Sequence, residues 1–164
     1  MDKEIIEVKI KGIAMGGEKN SPFIILQGVQ KGEFLTLPIG PFEASAIIVE
    51  MEDVRPPRPL THDLFTQFFL QHGFSLKHFE IYGFVNDRFF SRIVYKKNFN
   101  TFKMELRPGD GIALAVRLGA PLCIDSSIMS RMSSDAFFFQ NAAEDESMRF
   151  LYLDEEEKIE YGAG

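Results

Sequence analysis

Residues 111–116 restrict the fold of this chain more than any other segment. They read Gly-Ile-Ala-Leu-Ala-Val, which is apolar on nearly every side of a helix. A helix of this kind has no face for water, so it must be packed deeply among other elements. Arg107-Pro108-Gly109-Asp110 precedes it with residues typical of a helix start, Gly109 serving as N-cap, and Gly119 suits its end. The pattern predicts a central helix over residues 109–118.

Strand patterns lie on both sides of this helix. Residues 4–13 alternate between apolar and polar side chains, and residues 74–107 read as three antiparallel strands with a turn at Asn86-Asp87. Apolar residues at helical spacing predict further helices over residues 41–52 and after Thr61, a suitable N-cap. The fold class expected is α+β, a mostly antiparallel or mixed β-sheet packed with about three helices.

The length of 164 residues, 45% of them hydrophobic, is enough for one domain with its own core. We predict a domain over residues 1–131 and a C-terminal extension over residues 132–164, with a loop and a β-hairpin made by residues 149–153 and 158–161. The charged N-terminus is unlike a signal peptide, and no apolar run is long enough for a membrane span. The single cysteine, Cys123, fits a small core residue of a cytoplasmic protein.

The net charge of −6 bears on the partners of the protein. Nucleic-acid binding over a broad surface needs clustered Lys and Arg, which an acidic chain does not favour. A local basic site on an acidic body is still compatible with this charge. The three consecutive Phe at 137–139, in an otherwise polar stretch, either fold back on their own domain or form a subunit contact. The second alternative predicts a homo-oligomer, with a dimer favoured.

The segment R-P-P-R-P-L-T-H-D-L, residues 55–64, is unusual for a soluble domain. Its prolines stiffen the approach to a helix and lower the entropy cost of ordering it. Asp63 is favourable in a first helical turn without any further role. His62 is not explained by helix formation, because any small polar residue would serve beside the cap. This histidine is therefore the strongest single candidate for function.

Three segments, taken together, carry a family resemblance. They are L-P-I-G-P-F-E-A-S-A-I at 37–47, P-P-R-P-L-T-H-D-L at 56–64 and L-R-P-G-D-G-I-A-L-A-V-R-L-G-A-P-L at 106–122. In sequence, order and approximate spacing the chain resembles the bifunctional nuclease domain family over about residues 4–130. It departs from the family pattern at Gly109, where relatives carry Ser, and at Glu105, where relatives carry Asp.

The resemblance implies a nuclease acting on RNA, DNA or both. Phosphodiester cleavage needs an activated water and positive charge on the phosphoryl oxygens, often with Mg²⁺ or Mn²⁺ held by carboxylates. The residues able to do this chemistry are assigned three roles. The catalytic candidates are His62, Asp63, Glu105 and Asp110, the phosphate contacts are Arg58 and Arg107, and the candidate ligands of the divalent metal are Asp63, Asp110 and Glu43.

The alternative is a non-catalytic binding or regulatory module. In that case Arg107 would pair with Asp63 or Asp110, and the same polar cluster would fix the packing of the helices. Geometry separates the two hypotheses. A metal-assisted nuclease needs at least two of Asp63, Glu105 and Asp110 close together on an open surface, whereas a structural role leaves these groups buried and mutually satisfied.

Overall fold

A computed structural model describes residues 3–16, 20–133 and 146–154. Within these ranges the chain forms strands and helices in the following order. The elements are β1 (Ile5–Gly16), β2 (Ser21–Gly28), β3 (Phe34–Pro38), α1 (Pro41–Met51), α2 (Thr61–Gln71), β4 (Ser75–Val85), β5 (Arg88–Lys97), β6 (Asn100–Leu106), α3 (Pro108–Leu118), β7 (Leu122–Asp125), α4 (Ser126–Met132) and β8 (Arg149–Leu153).

The strands form one mixed sheet in the order β3-β2-β1-β7-β4-β5-β6, with β8 paired to β1 beside β7. Neighbours pair antiparallel except β4 and β7, which run parallel. The short strand β7 therefore joins two antiparallel groups, β1 to β3 and β4 to β6. This architecture confirms the α+β class and the mixed sheet expected from the sequence.

Helix α3 lies at the centre of the helical layer, as its sequence predicts. Ile112, Ala113 and Ala115 are fully buried, and the helix packs against α1, α2, β4 and β5. It begins at Pro108 with Arg107 as N-cap, because proline is well suited to the first helical position. The prediction of Gly109 as N-cap was therefore wrong by two residues, and Gly109 lies in the first turn.

The start of α2 also differs by one residue from the prediction. The N-cap is Leu60, and Thr61 is the first helical residue. The cause is Asp63, whose Oδ2 accepts the backbone N–H of Leu60 at 2.9 Å. The carboxylate in the third helical position thus satisfies the backbone N–H of the N-cap residue itself, as the third residue of a capping box does.

One face of α2 remains at the surface. Within the helix only Thr66 and Phe69 are buried, whereas Leu64 and Phe68 are 62% and 60% exposed. The buried side is held by aromatic contacts, because Phe69 stacks on Phe74 at 5.3 Å between ring centroids. These exposed side chains lie on one side of the helix and form an apolar surface patch.

The C-terminal part of the chain contributes to the main sheet. Strand β8 pairs antiparallel with residues 12–15 of β1. Its predicted hairpin partner at residues 158–161 lies outside the described residues, as do the three phenylalanines at 137–139. The division at residue 131 stays a prediction. No helix in the described ranges is long and apolar enough to span a lipid bilayer.

Candidate active site

Helices α2 and α3 start side by side, and this places His62 next to Asp110. His62 Nε2 lies 3.0 Å from Asp110 Oδ1, although the two residues are 48 positions apart in the chain. Their side chains are 17% and 26% exposed, so the pair is accessible to solvent from one side. Proximity of the two helix starts was an open question in the sequence, and the fold answers it.

Arg107 extends this pair to a third element. Its Nε donates to Asp110 Oδ2 at 3.0 Å, and its Nη2 lies 3.1 Å from Glu43 Oε1 in the first turn of α1. The hydrogen bond and charge of Asp110, together with the charge of Glu43, raise the pKa of Arg107 above its usual value. The guanidinium is 77% exposed, so it can meet a ligand from solvent.

The bond to Asp110 restricts what His62 can do chemically. A deprotonated carboxylate only accepts hydrogen bonds, so Nε2 carries the proton that it shares with Asp110. In a neutral imidazole the other nitrogen, Nδ1, then has a free lone pair. No hydrogen bond joins Nδ1 to another residue in the described part of the chain. His62 is thus arranged as a proton acceptor oriented by a carboxylate.

Asp63 is turned away from this cluster. Its Oδ1 accepts a hydrogen bond from Arg117 Nε at 2.8 Å, and its Oδ2 accepts the N–H of Leu60. Burial alone would raise the pKa of Asp63, but the bonds from Arg117 and Leu60, the charge of Arg117 and the charge of His62 in its protonated form outweigh it and lower this pKa. Both carboxylate oxygens already have donors.

Arg117 is a neighbour of the candidate site that the sequence did not identify. Its side chain is only 4% exposed, and Nη1 donates to Ala113 O at 3.0 Å within the same helix. It borders a cleft of about 350 Å³ formed with the proline-rich segment and Asp63. The available signal was an arginine in an otherwise apolar helix, two turns after Asp110 on the same face.

Glu105 and Arg58 do not join the His62–Asp110 pair. Glu105 is exposed on β6, opposite Arg92 of β5. It contacts Tyr82, and burial followed by the hydrogen bond and charge of Glu105 raises the pKa of that tyrosine. Arg58 is exposed in the proline-rich segment before α2. The predicted residues therefore separate into a central cluster and outlying groups. Asp63, Glu105 and Asp110 have different partners, so they do not come together as a metal-assisted nuclease would require.

The surroundings of Gly109 explain why this chain has glycine at a position where relatives carry serine. A Cβ built at this position would lie 2.8 Å from Cβ of Glu43 and 3.4 Å from Cβ of Ile39. Glycine lets α1 approach the start of α3 at this point. The close approach keeps Glu43 within reach of Arg107. A serine at 109 would therefore require this part of α1 to move.

The three predicted metal ligands do not form a ready-made set. Among the described residues no group of three or more His, Cys, Asp or Glu side chains could hold a metal ion. Asp63 is bound to Arg117, and the Arg107 guanidinium stands between Glu43 and Asp110. A cation between Glu43 and Asp110 would first have to displace that guanidinium, so the present arrangement of donors does not fit one.

The fold and cluster define a class: an α+β domain whose two helix starts bring together a histidine, an aspartate and an arginine. Comparison with known proteins gives the family. The sequence matches the bifunctional nuclease domain over residues 24–136, so the chain belongs to the bifunctional nuclease domain family. The resemblance recognised in its three segments is thereby confirmed.

Individual relatives extend this comparison. Two proteins of Mycobacterium tuberculosis strains, "Uncharacterized protein MT1877" and "Uncharacterized protein Rv1829", are each 30% identical over 153 residues, covering 93% of this chain and 90% of their own. "Bifunctional nuclease 1" of Oryza sativa subsp. indica is 27% identical over 109 residues. That match covers 63% of this chain and 33% of the rice protein, so the likeness concerns one part of a longer chain.

Proposed function

We propose that this protein hydrolyses phosphodiester bonds of RNA, DNA or both, at the cluster formed by His62, Asp110 and Arg107. The observation that carries the proposal is the 3.0 Å contact between His62 Nε2 and Asp110 Oδ1. A carboxylate that orients an imidazole beside an exposed arginine is a recurring arrangement for moving a proton next to an anionic substrate. Family membership and the rice nuclease support the same reaction.

In the proposed reaction His62 Nδ1 accepts a proton from water. The water oxygen attacks phosphorus, the ester P–O bond breaks, and the leaving oxygen takes a proton from solvent water, while the His62 imidazolium later returns its proton to solvent. Asp110 keeps the proton on Nε2 and stabilises the imidazolium that forms. Arg107 has one nitrogen on Asp110 and one on Glu43, so its Nη1 is available to a phosphoryl oxygen.

The predicted Mg²⁺ or Mn²⁺ stays a prediction, and no step above depends on it. An acidic chain with one exposed arginine at the cluster would bind a nucleic acid locally, through few phosphates. We therefore expect weak binding with a shallow salt dependence, since each phosphate contact contributes roughly one unit to the logarithmic slope. A steep slope would indicate a much larger basic surface than this cluster provides.

The test is cleavage of end-labelled single-stranded RNA and DNA by purified protein, with EDTA, Mg²⁺ or Mn²⁺. His62→Ala and Asp110→Asn should each lower the rate by about a hundredfold or more, the usual contribution of a positioned general base. His72→Ala is the matched control, because His72 caps the opposite end of α2 and its Nδ1 bonds to the Phe68 carbonyl instead of a carboxylate. Equal rates in His62→Ala and His72→Ala would exclude the proposed base.

A second candidate function is a binding or regulatory module. It is favoured by the way the carboxylates are satisfied: both oxygens of Asp63 and both of Asp110 have partners. Folded protein that cleaves neither substrate under any metal condition, while His62→Ala is clearly destabilised, would favour this function instead. A cytoplasmic location and a homo-oligomer remain predictions from the sequence.

A further inference from the structure

Strand β6 is an edge strand whose outer side could pair with a further strand. It lies at the end of the sheet, and no described strand covers its outer side. Six of its seven residues are exposed. It has neither proline nor an inward-pointing charge, two of the features that protect such an edge, and its only charges, Lys103 and Glu105, are of opposite sign. Its helix side carries Phe102 and Met104, which are 39% and 41% exposed.

We infer that two copies of this chain form a dimer by pairing β6 with β6 antiparallel, about a two-fold axis that passes through Met104. The paired edges would join two sheets into one continuous sheet. A two-fold axis perpendicular to the sheet keeps both helical layers on the same side. The inference concerns a surface separate from the His62–Asp110 pair, and it does not depend on the proposed nuclease activity.

Charge favours this register over the two registers whose axes lie one residue away. Residues that face each other in an antiparallel pair lie on the same side of the sheet. The two-fold axis must therefore pass between the two copies of one residue, because an axis at a peptide bond would pair residues from opposite sides. With the axis at Met104, Lys103 of each copy faces Glu105 of the other, and Phe102 faces Leu106. With the axis at Lys103 two lysines would meet, and with the axis at Glu105 two glutamates would meet. Opposite charges across strands stabilise a pair and like charges destabilise it.

The apolar surface beside β6 supplies contact area that one strand pair lacks. Consecutive aromatic rings in contact connect the edge strand to α2. Between ring centroids, Phe102 lies 6.4 Å from Phe74 and Phe74 lies 5.3 Å from Phe69. Phe69 in turn lies 6.1 Å from Phe65. Phe65 at the far end is 37% exposed. A stable interface needs roughly 800 Å² from each partner, and an apolar face next to the strand contributes to that area.

The same register brings the second copy close to the candidate active site. Beyond Leu106 the pairing would set Thr101 of one copy opposite Arg107 of the other. Arg107 has extended backbone (φ −63°, ψ 144°), so the strand direction continues to this residue. The dimer would therefore restrict how Arg107 approaches a ligand, although the cluster is complete within one chain.

The first experiment measures mass by sedimentation equilibrium for the natural protein and three variants. Lys103→Glu and Glu105→Lys should each raise the dimer dissociation constant by about tenfold, since each variant places two like-charged pairs across the axis. An equimolar mixture of the two variants should dimerise again, because every pair in the mixed dimer is then of opposite charge. Lys31→Glu, at an exposed turn on another part of the surface, is the charge-matched control and should dimerise normally.

The second experiment tests the axis without relying on charge. In a Cys123→Ala background, Met104→Cys should form a disulfide-linked dimer on mild oxidation, because residues facing each other across an antiparallel pair have Cα atoms about 4.5–5.5 Å apart. Lys103→Cys in the same background should remain uncrosslinked. A monomer at all concentrations, a dimer unaffected by both charge variants, or crosslinking through Lys103→Cys instead would overturn the inference.

Discussion

Arg117 donates its Nε to Asp63 Oδ1 at 2.8 Å, and this contact joins the last turn of α3 to the first turn of α2. The arginine is almost fully buried, whereas the aspartate keeps 26% of its side chain exposed. Since Asp63 also caps its own helix through Leu60, one carboxylate both starts α2 and attaches it to the central helix. His62 is adjacent to it in sequence, so the orientation of the candidate base depends on this ion pair.

We expect Asp63→Asn to lower the free energy of unfolding by about 3 kcal/mol, because a buried arginine would lose its counter-charge. Urea denaturation at pH 7 measures this change. Asp53→Asn is the matched control: Asp53 pairs with Arg55 at 3.5 Å, but both side chains are more than four-fifths exposed. An exposed pair contributes at most about 1 kcal/mol. Similar losses in the two variants would show that the Asp63 pair contributes no more than a surface pair.

The same carboxylate predicts a dependence of stability on pH. The folded state lowers the pKa of Asp63 below its usual value of 3.8. A lowered pKa contributes stability above the unfolded pKa, and this contribution is lost as pH falls through the folded pKa. The difference in unfolding free energy between the natural protein and Asp63→Asn should therefore be constant from pH 7 to about pH 5 and shrink below about pH 4. A difference in unfolding free energy that stays constant down to pH 2.5 would contradict the assignment of this stability to the Asp63 carboxylate.

Gly111 should not tolerate a side chain. A Cβ at this position would lie 2.5 Å from two ring carbons of Phe79, which is fully buried under α3. Alanine favours a helix by about 1 kcal/mol over glycine, but forcing an extra methyl into a packed core costs typically 1–3 kcal/mol or more. We expect Gly111→Ala to be destabilised overall in thermal unfolding.

The control for this prediction is Gly83→Ala in β4. There the added methyl would lie 3.4 Å from Cβ of Phe90, within ordinary contact distance. Its midpoint of thermal unfolding should change little. If Gly111→Ala unfolded at the same temperature as the natural protein, the close contact between α3 and Phe79 would not exist in solution.

Cys123 should react slowly in the native protein. Burial, followed by the charges of Glu7 and Glu80, raises the pKa of its thiol to about 11. Only about one molecule in ten thousand would then carry the reactive thiolate at pH 7. Modification by a disulfide reagent should be slow in buffer and rapid in urea. Glu7→Gln should accelerate the native reaction, and a native rate equal to that in urea would contradict the raised pKa.

Local patterns were sufficient for the elements of this fold. The apolar sequence after Asp110 required a packed helix, and alternation over residues 74–107 required paired strands. Both signals lie within a few residues of the element they predict. The parallel pairing of β4 with β7 has no local signal, because it depends on how distant segments assemble.

The contacts within the candidate site also could not be predicted from local sequence patterns. The sequence identified His62 and Asp110, but their contact spans 48 residues and follows from the packing of two helices. Asp63 had the same residue type and the same helical position as Asp110, yet it turns to Arg117. Asp63 points to Arg117 because this buried cation on α3 requires a partner of opposite charge. No spacing in the sequence predicts that requirement.

Strand β7 has a consequence for the order in which the protein folds. Its four residues pair with β1 on one side and β4 on the other, and they come after both groups of strands in the chain. Pairings so distant in sequence form late, because long loops must close first. During synthesis the two antiparallel groups can each form early, but they cannot join until residues 122–125 have left the ribosome. Until then each group exposes an unpaired edge, and the nascent chain is most susceptible to aggregation in that interval.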